Sequence, residues 1–494
     1  MGVENGFRLS FLTRNPQGGR VLDASSLNGT GASGAWPFPD KSFDGVVVPD
    51  ASLASQGSSP KFLAEAARVL KSDGWLFVTV PNRWGYNHLV RANGMRHAVS
   101  RKKVRRALEQ AGFSGVREYA LHPDAENAGE VMGLGPRPFR GAINLREGIK
   151  ERFFSSRIFS RFAPAHALTA VREPAEPSFI EALLREVSSE AKRRWHVTAS
   201  PKVERAFVLH GKGVLQVRLG NRLLAVKFPI IRWAEGFMEH EEEILKALGK
   251  RFLLKEIKAP EFYWGGVLEG RRYAVLEGFP AVSVDQPTPV LRPVIAQATG
   301  YLIQFQKMTC ERRTVDEALY QQLFAKPFQA LYPALGERAS GLKRIEDAVH
   351  KIVLGQRIPL VWEHGDFYYE NFLVDPKTRR LAAIVDWEMS NEKGLPLLDL
   401  YYSAARAGEL FYGKTFEDMI IGEFMPQQYS GPMKRDFDVY LNLLKIPAEV
   451  MPALCVMAWV CRLVRSGGVR HDPKWLAGFD QVLNAVKSIL KGNA

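Results

Sequence analysis

The stretch His364-Gly365-Asp366-Phe367-Tyr368-Tyr369-Glu370-Asn371, followed by Ile384-Val385-Asp386-Trp387-Glu388, decides the reading of this chain. Asn371 lies five residues after Asp366, and Asp386 a further fifteen on. Apolar runs flank both pieces: Phe372-Leu373-Val374 after the first, and Leu381-Ala382-Ala383-Ile384-Val385 leading into the second. Between them Asp375 to Arg380 is a polar turn. The spacing predicts a loop, a short strand, a turn and a second strand ending in an acid. Such a hairpin brings Asp366, Asn371 and Asp386 to one end. These side chains suit phosphoryl transfer from a magnesium nucleotide. That reaction needs one carboxylate beside an acceptor hydroxyl, with an amide oxygen and a second carboxylate on the metal that bridges the phosphates. The plainer alternative, an Asp capping a turn before an aromatic, leaves the coincidence of three suitable side chains unexplained.

The same stretch resembles the aminoglycoside phosphotransferase family, a branch of the protein-kinase-like fold that includes choline kinases and other small-molecule kinases. The shared pattern is H-G-D-[FLI]-x-x-x-N-x-L-x-D, then I-D-W-E. A Gly-x-Pro-x-x-Asp-Leu turn follows, here Gly394-Leu395-Pro396-Leu397-Leu398-Asp399-Leu400. The resemblance covers roughly residues 200–494. It implies a bilobal α+β domain in which Asp366 accepts or orients the hydroxyl proton while Asn371 and Asp386 bind Mg²⁺. ATP or GTP is the donor, and His364 braces the loop through hydrogen bonds.

A kinase-like site also demands an upstream lysine on a strand and a glutamate on the next helix. Val214 to Leu219 alternates as a strand, Gly220-Asn221 turns, and Arg222 to Phe228 returns as a second strand carrying Lys227. A lysine in that apolar run needs an anion to offset its desolvation. The helix predicted over 234–248 places Phe237, Met238, Ile244, Leu245 and Leu248 on one stripe, with Glu241 the single acid among them. Glu239 is the alternative partner, and a merely edge-facing Glu241 is the plainer reading. In the family the matching pair holds the lysine against the α- and β-phosphates. The turn Leu209-His210-Gly211-Lys212-Gly213 offers Gly211 and Gly213 for close backbone approach to phosphate, a weak motif that many hairpins share. Tyr273 to Pro280 matches the family's strand-to-hinge segment, which places Glu277 and Phe279 at the adenine edge by position alone.

The N-terminal third follows another course. Arg20 to Asp23 and Gly45 to Val48 are short apolar strands, Lys61 to Leu70 has helical spacing, and Trp75 to Val80 is a further strand. Strand, helix, strand at this pitch argues for an α/β unit with a parallel sheet. Trp36-Pro37-Phe38-Pro39-Asp40-Lys41-Ser42-Phe43-Asp44 and Glu65-Ala66-Ala67-Arg68-Val69-Leu70-Lys71 resemble the class I S-adenosylmethionine-dependent methyltransferases, a Rossmann-like fold. Residues 104–116 resemble that family's late helix and strand. The family's Gly-rich turn is missing after Asp23. Nor is there room before Trp36 for the crossover that follows it, which takes at least ~10 residues. The expectation is a truncated methyltransferase-like domain that does not bind S-adenosylmethionine, serving as a scaffold, docking or acceptor-presenting module. Ala167 to Val171 is a candidate final strand closing its sheet. Arg146 to Arg161 is basic with helical character, and Arg172 to Pro177 reads as a linker.

Composition sets the remaining bounds. The 494 residues are 46% hydrophobic and 24% charged, a soluble globular balance, and too many for one core. The expected order is an α/β methyltransferase-like domain over 1–172, a linker and leading helix over 173–200, a nucleotide lobe over 201–283 and a helical acceptor lobe over 284–494. No apolar run reaches the ~18–20 residues of a membrane span, and neither a secretory signal nor a myristoylation pattern is present. Cys310, Cys455 and Cys461 lack metal or disulfide spacing, which fits a reducing cytoplasm and deprives the sequon Asn28-Gly29-Thr30 of meaning. The net charge of +14 is scattered, without a nucleic-acid motif, and fits nucleotide phosphates or an anionic acceptor equally well. Tyr368, Tyr369, Trp387, Tyr401, Tyr402 and Trp459 are candidates to line an acceptor pocket, with ordinary core as the alternative. Arg462, Arg465 and Arg470 are candidates to receive an anion, with a solvated helix face as the alternative.

The sequence therefore predicts an ATP- or GTP-dependent phosphotransferase acting on a hydroxyl of a sugar-like or other non-protein acceptor, a small molecule or glycan, with no nucleic-acid partner. Two further readings stand beside it: a bifunctional methyltransferase–kinase of surface-glycan biosynthesis, and a nucleotide-binding pseudokinase scaffold.

Overall fold

The computed structural model describes residues 20–27, 35–49, 60–82, 101–122, 130–132, 165–171, 179–209, 211–231, 233–252, 254–284, 286–429, 431–465 and 473–492. The sequon at Asn28, the basic stretch Arg146 to Arg161, the linker Arg172 to Pro177, His210 and Arg470 lie outside them. Two compact units result: Met1–Glu242 with Glu261–Pro280, and Glu243–Pro260 with Ala281–Ala494.

The first unit is organised by one sheet. Its strands are β1 (Val21–Asp23), β2 (Phe43–Val48), β3 (Leu70–Pro81), β4 (Ser114–His122), β5 (Glu130–Met132), β6 (Ala165–Val171), β7 (Lys202–Leu209), β8 (Lys212–Leu219), β9 (Arg222–Pro229), β10 (Phe262–Leu268) and β11 (Arg271–Glu277). They lie in the order β1-β2-β3-β6-β4-β5-β7-β8-β9-β11-β10. β1, β2 and β3 pair in parallel, as βαβ logic requires. From β6 onward every pairing is antiparallel, so the N-terminal third, expected to hold a parallel sheet, holds a mixed one. β6 does not close the sheet either; it lies inside it, between β3 and β4. The N-terminal strands run into the β7–β8–β9 strands through β5, where Glu130 pairs with Phe207 and Val131 with Ala206.

Helix α1 (Pro60–Val69) starts on a proline, suited to a first turn whose N–H would go unused. It buries Phe62, Leu63, Ala66 and Ala67 in a core with Leu22, Val46, Leu76 and Val78, shared by α2 (Arg101–Gln110) through Val104 and Leu108. Arg68 donates to the Trp36 and Phe38 carbonyls and to Asp40, while Glu65 accepts from the Trp36 N–H. The motif residues of this third thus clasp the 35–40 loop onto α1. A second core lies under α3 (Phe179–Trp195), whose Phe179, Ile180, Leu183, Val187 and Ala191 pack with Leu215, Val226, Phe228 and Val275. Helix α4 (Ala234–Arg251) follows β9, with Glu235 in its first turn and Lys250 and Arg251 in its last, charges that complement the helix dipole.

The second unit is mostly helical: α5 (Leu291–Thr309), α6 (Lys326–Leu335), α7 (Ala339–Val353), α8 (Leu398–Tyr412), α9 (Gly431–Leu444), α10 (Met451–Arg465) and α11 (Pro473–Gly492). Their stripes meet on α10, where Cys455, Val456, Met457, Trp459 and Val460 are fully enclosed. Strands β12 (Glu311–Thr314), β13 (Arg357–Glu363) and β16 (Asn391–Gly394) form one small sheet; β14 (Phe372–Val374) and β15 (Leu381–Ile384) form the hairpin read from the sequence. Among the described residues no helix is long and apolar enough to cross a membrane.

Candidate active site

β13 delivers the chain into the loop that holds Asp366, and the β14–β15 hairpin returns it to Asp386. The ends are tied by backbone. The Val385 N–H donates to the Asn371 carbonyl at 3.0 Å, and Phe372 pairs with Ile384. The Asn371 side-chain amide donates to the Asp366 carbonyl at 2.8 Å and to its carboxylate at 3.0 Å. Both Asn371 N–H groups then point at Asp366, which leaves the amide oxygen as the acceptor atom. Asp386 has φ 62 and ψ 62, a left-handed conformation rare for a non-glycine residue. Burial pushes the Asp366 carboxyl above its ordinary range; the Asn371 hydrogen bond opposes that, and the Asp386 charge adds to it.

A buried frame holds this loop. His364 has no solvent exposure. Its Nδ1 accepts from the Asp366 N–H at 3.3 Å and its Nε2 lies 3.1 Å from the Val385 carbonyl, an arrangement that suits the neutral ring. Burial pushes the imidazole down to about 4, so it bridges the segments that carry Asp366 and Asp386 uncharged. Gly365 has φ +85, and a Cβ there would lie 2.1 Å from the Met389 carbonyl oxygen, so no other residue fits. Asp399, at the start of α8, accepts from the His364 N–H at 2.7 Å, the Gly365 N–H at 2.8 Å and the Gln306 amide at 3.0 Å. Arg465 donates to the Gly365 carbonyl at 2.8 Å and to Glu363 at 2.6 Å. It is therefore committed to the frame, a correction to its candidacy as an anion receptor.

Tyr402 faces the Asp366 carboxylate from α8 and lies 5.4 Å from the Tyr368 ring. Arg406, one turn further along α8, sits over Tyr368 at 5.0 Å and pairs with Glu370 and Glu409. Arg462 covers the Tyr402 ring at 4.8 Å. Trp387, Tyr401 and Trp459 are core residues, at 2%, 0% and 0% exposure, which corrects their placement in an acceptor pocket. A small depression opens at Asp366, walled by Tyr402 from α8 and by Cys461, Arg462 and Arg465 from α10. A larger cavity of about 650 Å³ is lined by Ser403, Ala404, Ala407 and Phe411 of α8, and none of Asp366, Asn371 and Asp386 lines it.

In the first unit, the Lys227 amine lies 2.9 Å from both carboxylate oxygens of Glu241. At 7% and 3% exposure the two form a buried pair. Glu239 instead pairs with Arg272 at 2.6 Å. Gly211, with φ +75, lies in the β7–β8 connection, and its carbonyl accepts from the Ile230 N–H at 2.8 Å. Gly213 has a packing reason of its own: a Cβ there would meet the Phe228 ring at 2.2 Å. At the end of β11 the Glu277 N–H donates to the Glu261 carbonyl at 2.8 Å, and just past it the Phe279 carbonyl accepts from Gln216 at 2.8 Å.

Sequence reasoning missed the roles of Asp399, Glu363 and Arg406. Asp399 was visible only as part of a turn motif, because a carboxylate that accepts backbone N–H groups needs no particular neighbour in sequence. Tyr402 and Arg406 stand four apart on one helix face, the single spacing signal that could have joined them.

The model of the phosphotransferase enzyme family matches residues 211–424, and that of a methyltransferase domain matches residues 19–78. No curated protein matches the chain. Among solved structures, a chain from Ralstonia eutropha JMP134 described as an aminoglycoside phosphotransferase is 14% identical. Its alignment covers 62% of this chain and 97% of that one at a TM-score of 0.40. Aminoglycoside phosphotransferase APH(4)-Ia, in a ternary complex with ADP and hygromycin B, is 13% identical over 63% of this chain and 99% of that one, with a TM-score of 0.37. A SAM-dependent methyltransferase from Thermotoga maritima is 15% identical over 34% of this chain and 91% of that one, with a TM-score of 0.21. The chain joins a domain of the phosphotransferase enzyme family, over residues 211–424, to an N-terminal methyltransferase domain.

Proposed function

We propose that this protein transfers the γ-phosphoryl group of ATP or GTP to a hydroxyl of a sugar-like or other non-protein acceptor. The observation that carries the reading is the bonded triad of the second unit: Asn371 amide on Asp366, Asn371 carbonyl on the Val385 N–H, and Asp386 next in the chain. Asp366 accepts or orients the acceptor proton, and its raised pKa makes it a better base at neutral pH than an ordinary carboxylate. The free amide oxygen of Asn371 and the Asp386 carboxylate are hard oxygen donors that fit Mg²⁺. The ion supplies charge neutralisation on the phosphates. Lys227, held by Glu241, steadies the donor phosphates, and the hinge at Glu277 and Phe279 takes the base through backbone groups.

The test is Asp366→Ala, which abolishes turnover while nucleotide binding by calorimetry persists, against Asp386→Ala, which weakens Mg-nucleotide binding as well. Wild-type turnover in the Asp366→Ala variant refutes the assignment.

A further inference from the structure

Three arginines surround the Asp366 carboxylate and its Tyr402 neighbour, and they are not equivalent. Arg465 is bound to Glu363 and the Gly365 carbonyl. Arg406 is shared between Glu370 and Glu409. Arg462 stands on the Tyr402 ring, and among the described residues no carboxylate lies within ion-pair distance of it. It is half-buried, beside a fully enclosed stretch of α10. The depression it borders contains one carboxylate, that of Asp366. Neither Asn371 nor Asp386 contributes to that wall.

A polycationic acceptor needs carboxylates around the reacting hydroxyl. Among the described residues Asp366 is the single carboxylate lining this depression, and Arg462, whose charge acts on Asp366, has no carboxylate within ion-pair distance. We propose that the acceptor is a hydroxylated anion, a sugar phosphate or sugar acid whose phosphate or carboxylate docks on Arg462 while its hydroxyl meets Asp366. This rests on the phosphotransferase reading of the same site. Arginine is suited to it, since its planar donors match either oxyanion in two-pronged fashion. Tyr402, whose ring Arg462 covers, borders the same depression. The phosphorylation would join the acceptor oxygen to the γ-phosphorus, break the bond to the β-phosphate oxygen, and leave the hydroxyl proton with Asp366.

The donor's γ-phosphate is the other anion that could use Arg462, and the experiment separates the two. The full chain, loaded with Mg²⁺ and AMP-PNP, is titrated with glucose 6-phosphate, glucuronate, glucose and kanamycin, with binding followed by melting temperature and calorimetry. The two anions bind and shift the melt, whereas glucose and kanamycin do not. Arg462→Gln weakens the anions about ten- to hundredfold, the range for a charge-assisted hydrogen bond. Arg462→Lys, which keeps the charge, recovers part of the loss. The ratio of AMP-PNP to ADP affinity stays at its wild-type value in both variants.

Kanamycin binding in preference to the anions, or anion binding unchanged in Arg462→Gln, overturns the proposal. So does a fall in the AMP-PNP to ADP ratio with anion binding intact, which would assign Arg462 to the donor. Failure of wild type to bind AMP-PNP would count against the phosphotransferase reading alone. The same sugar anions titrated onto nucleotide-free protein would still decide the role of Arg462.

Discussion

At the residue scale, the loop from His364 to Asn371 depends on groups that are out of water and matched. A glycine with φ +85 whose Cβ would sit 2.1 Å from a carbonyl oxygen admits no substitute. Gly365→Ala is expected to lower stability by at least about 1 kcal/mol and to reduce activity more than stability. Urea melts beside initial rates check this. His364 offers a pH test. Its imidazole is depressed from 6.5 to about 4 in the fold, so between those values the unfolded chain binds more protons. The stability it contributes is present above about 6.5 and is lost as pH falls towards 4, by up to about 3 kcal/mol. Urea midpoints of wild type should fall across that window more steeply than those of His364→Leu. Parallel slopes would contradict the neutral, buried assignment. For Asp366, the raised carboxyl moves the acidic limb of kcat/KM above the ordinary carboxylate value, and Asp366→Asn costs about 10²–10⁴ in kcat. The sequence made Asp366, Asn371 and Asp386 legible because residue type and spacing coincide. It could not show that Arg465 is already committed or that Trp459 is core, since both depend on what packs around them.

At the element scale, the buried Lys227–Glu241 pair fastens strand β9 to helix α4. Breaking one side of such a pair typically costs about 3–5 kcal/mol, because the surviving charge is left without a partner. Lys227→Met and Glu241→Leu should each destabilise strongly, while the double variant regains much of the loss and stays inactive. A double-mutant cycle on urea midpoints measures the coupling; additive losses would show that the pair does not act as a unit. Helix α4 was readable from its periodicity, with a lone acid on the apolar stripe opposite a lone lysine on an apolar strand. The three-residue strand β5 was not readable. Its pairing with β7 is backbone hydrogen bonding, which leaves almost no side-chain pattern, so the single sheet linking both modules of the first unit was not foreseen. The Trp36–Asp40 and Glu65–Arg68 motifs were legible as a family likeness. Their structural duty, clasping a loop onto α1, explains how they can persist beside a shortened β1 region.

At the scale of the whole molecule, the two modules call for separate tests. β1 pairs on one side only among the described residues, with β2, and it is not followed by the Gly-rich turn that a cofactor needs. S-adenosylmethionine should therefore leave the melting temperature of the full chain unchanged, whereas a ligand at about 100 times its dissociation constant stabilises by ~2.7 kcal/mol. A shift of that size would restore the bifunctional methyltransferase–kinase reading. The central claim is phosphoryl transfer directed by Asp366, and its most direct measurement is label transfer from [γ-³²P]ATP with Mg²⁺ to small hydroxylated acceptors, wild type beside Asp366→Asn. The account predicts labelled acceptor with wild type and none with the variant, although both bind nucleotide. Equal labelling by the two proteins, or bound nucleotide without any transfer across sugars, sugar acids, sugar phosphates and aminoglycosides, would contradict it.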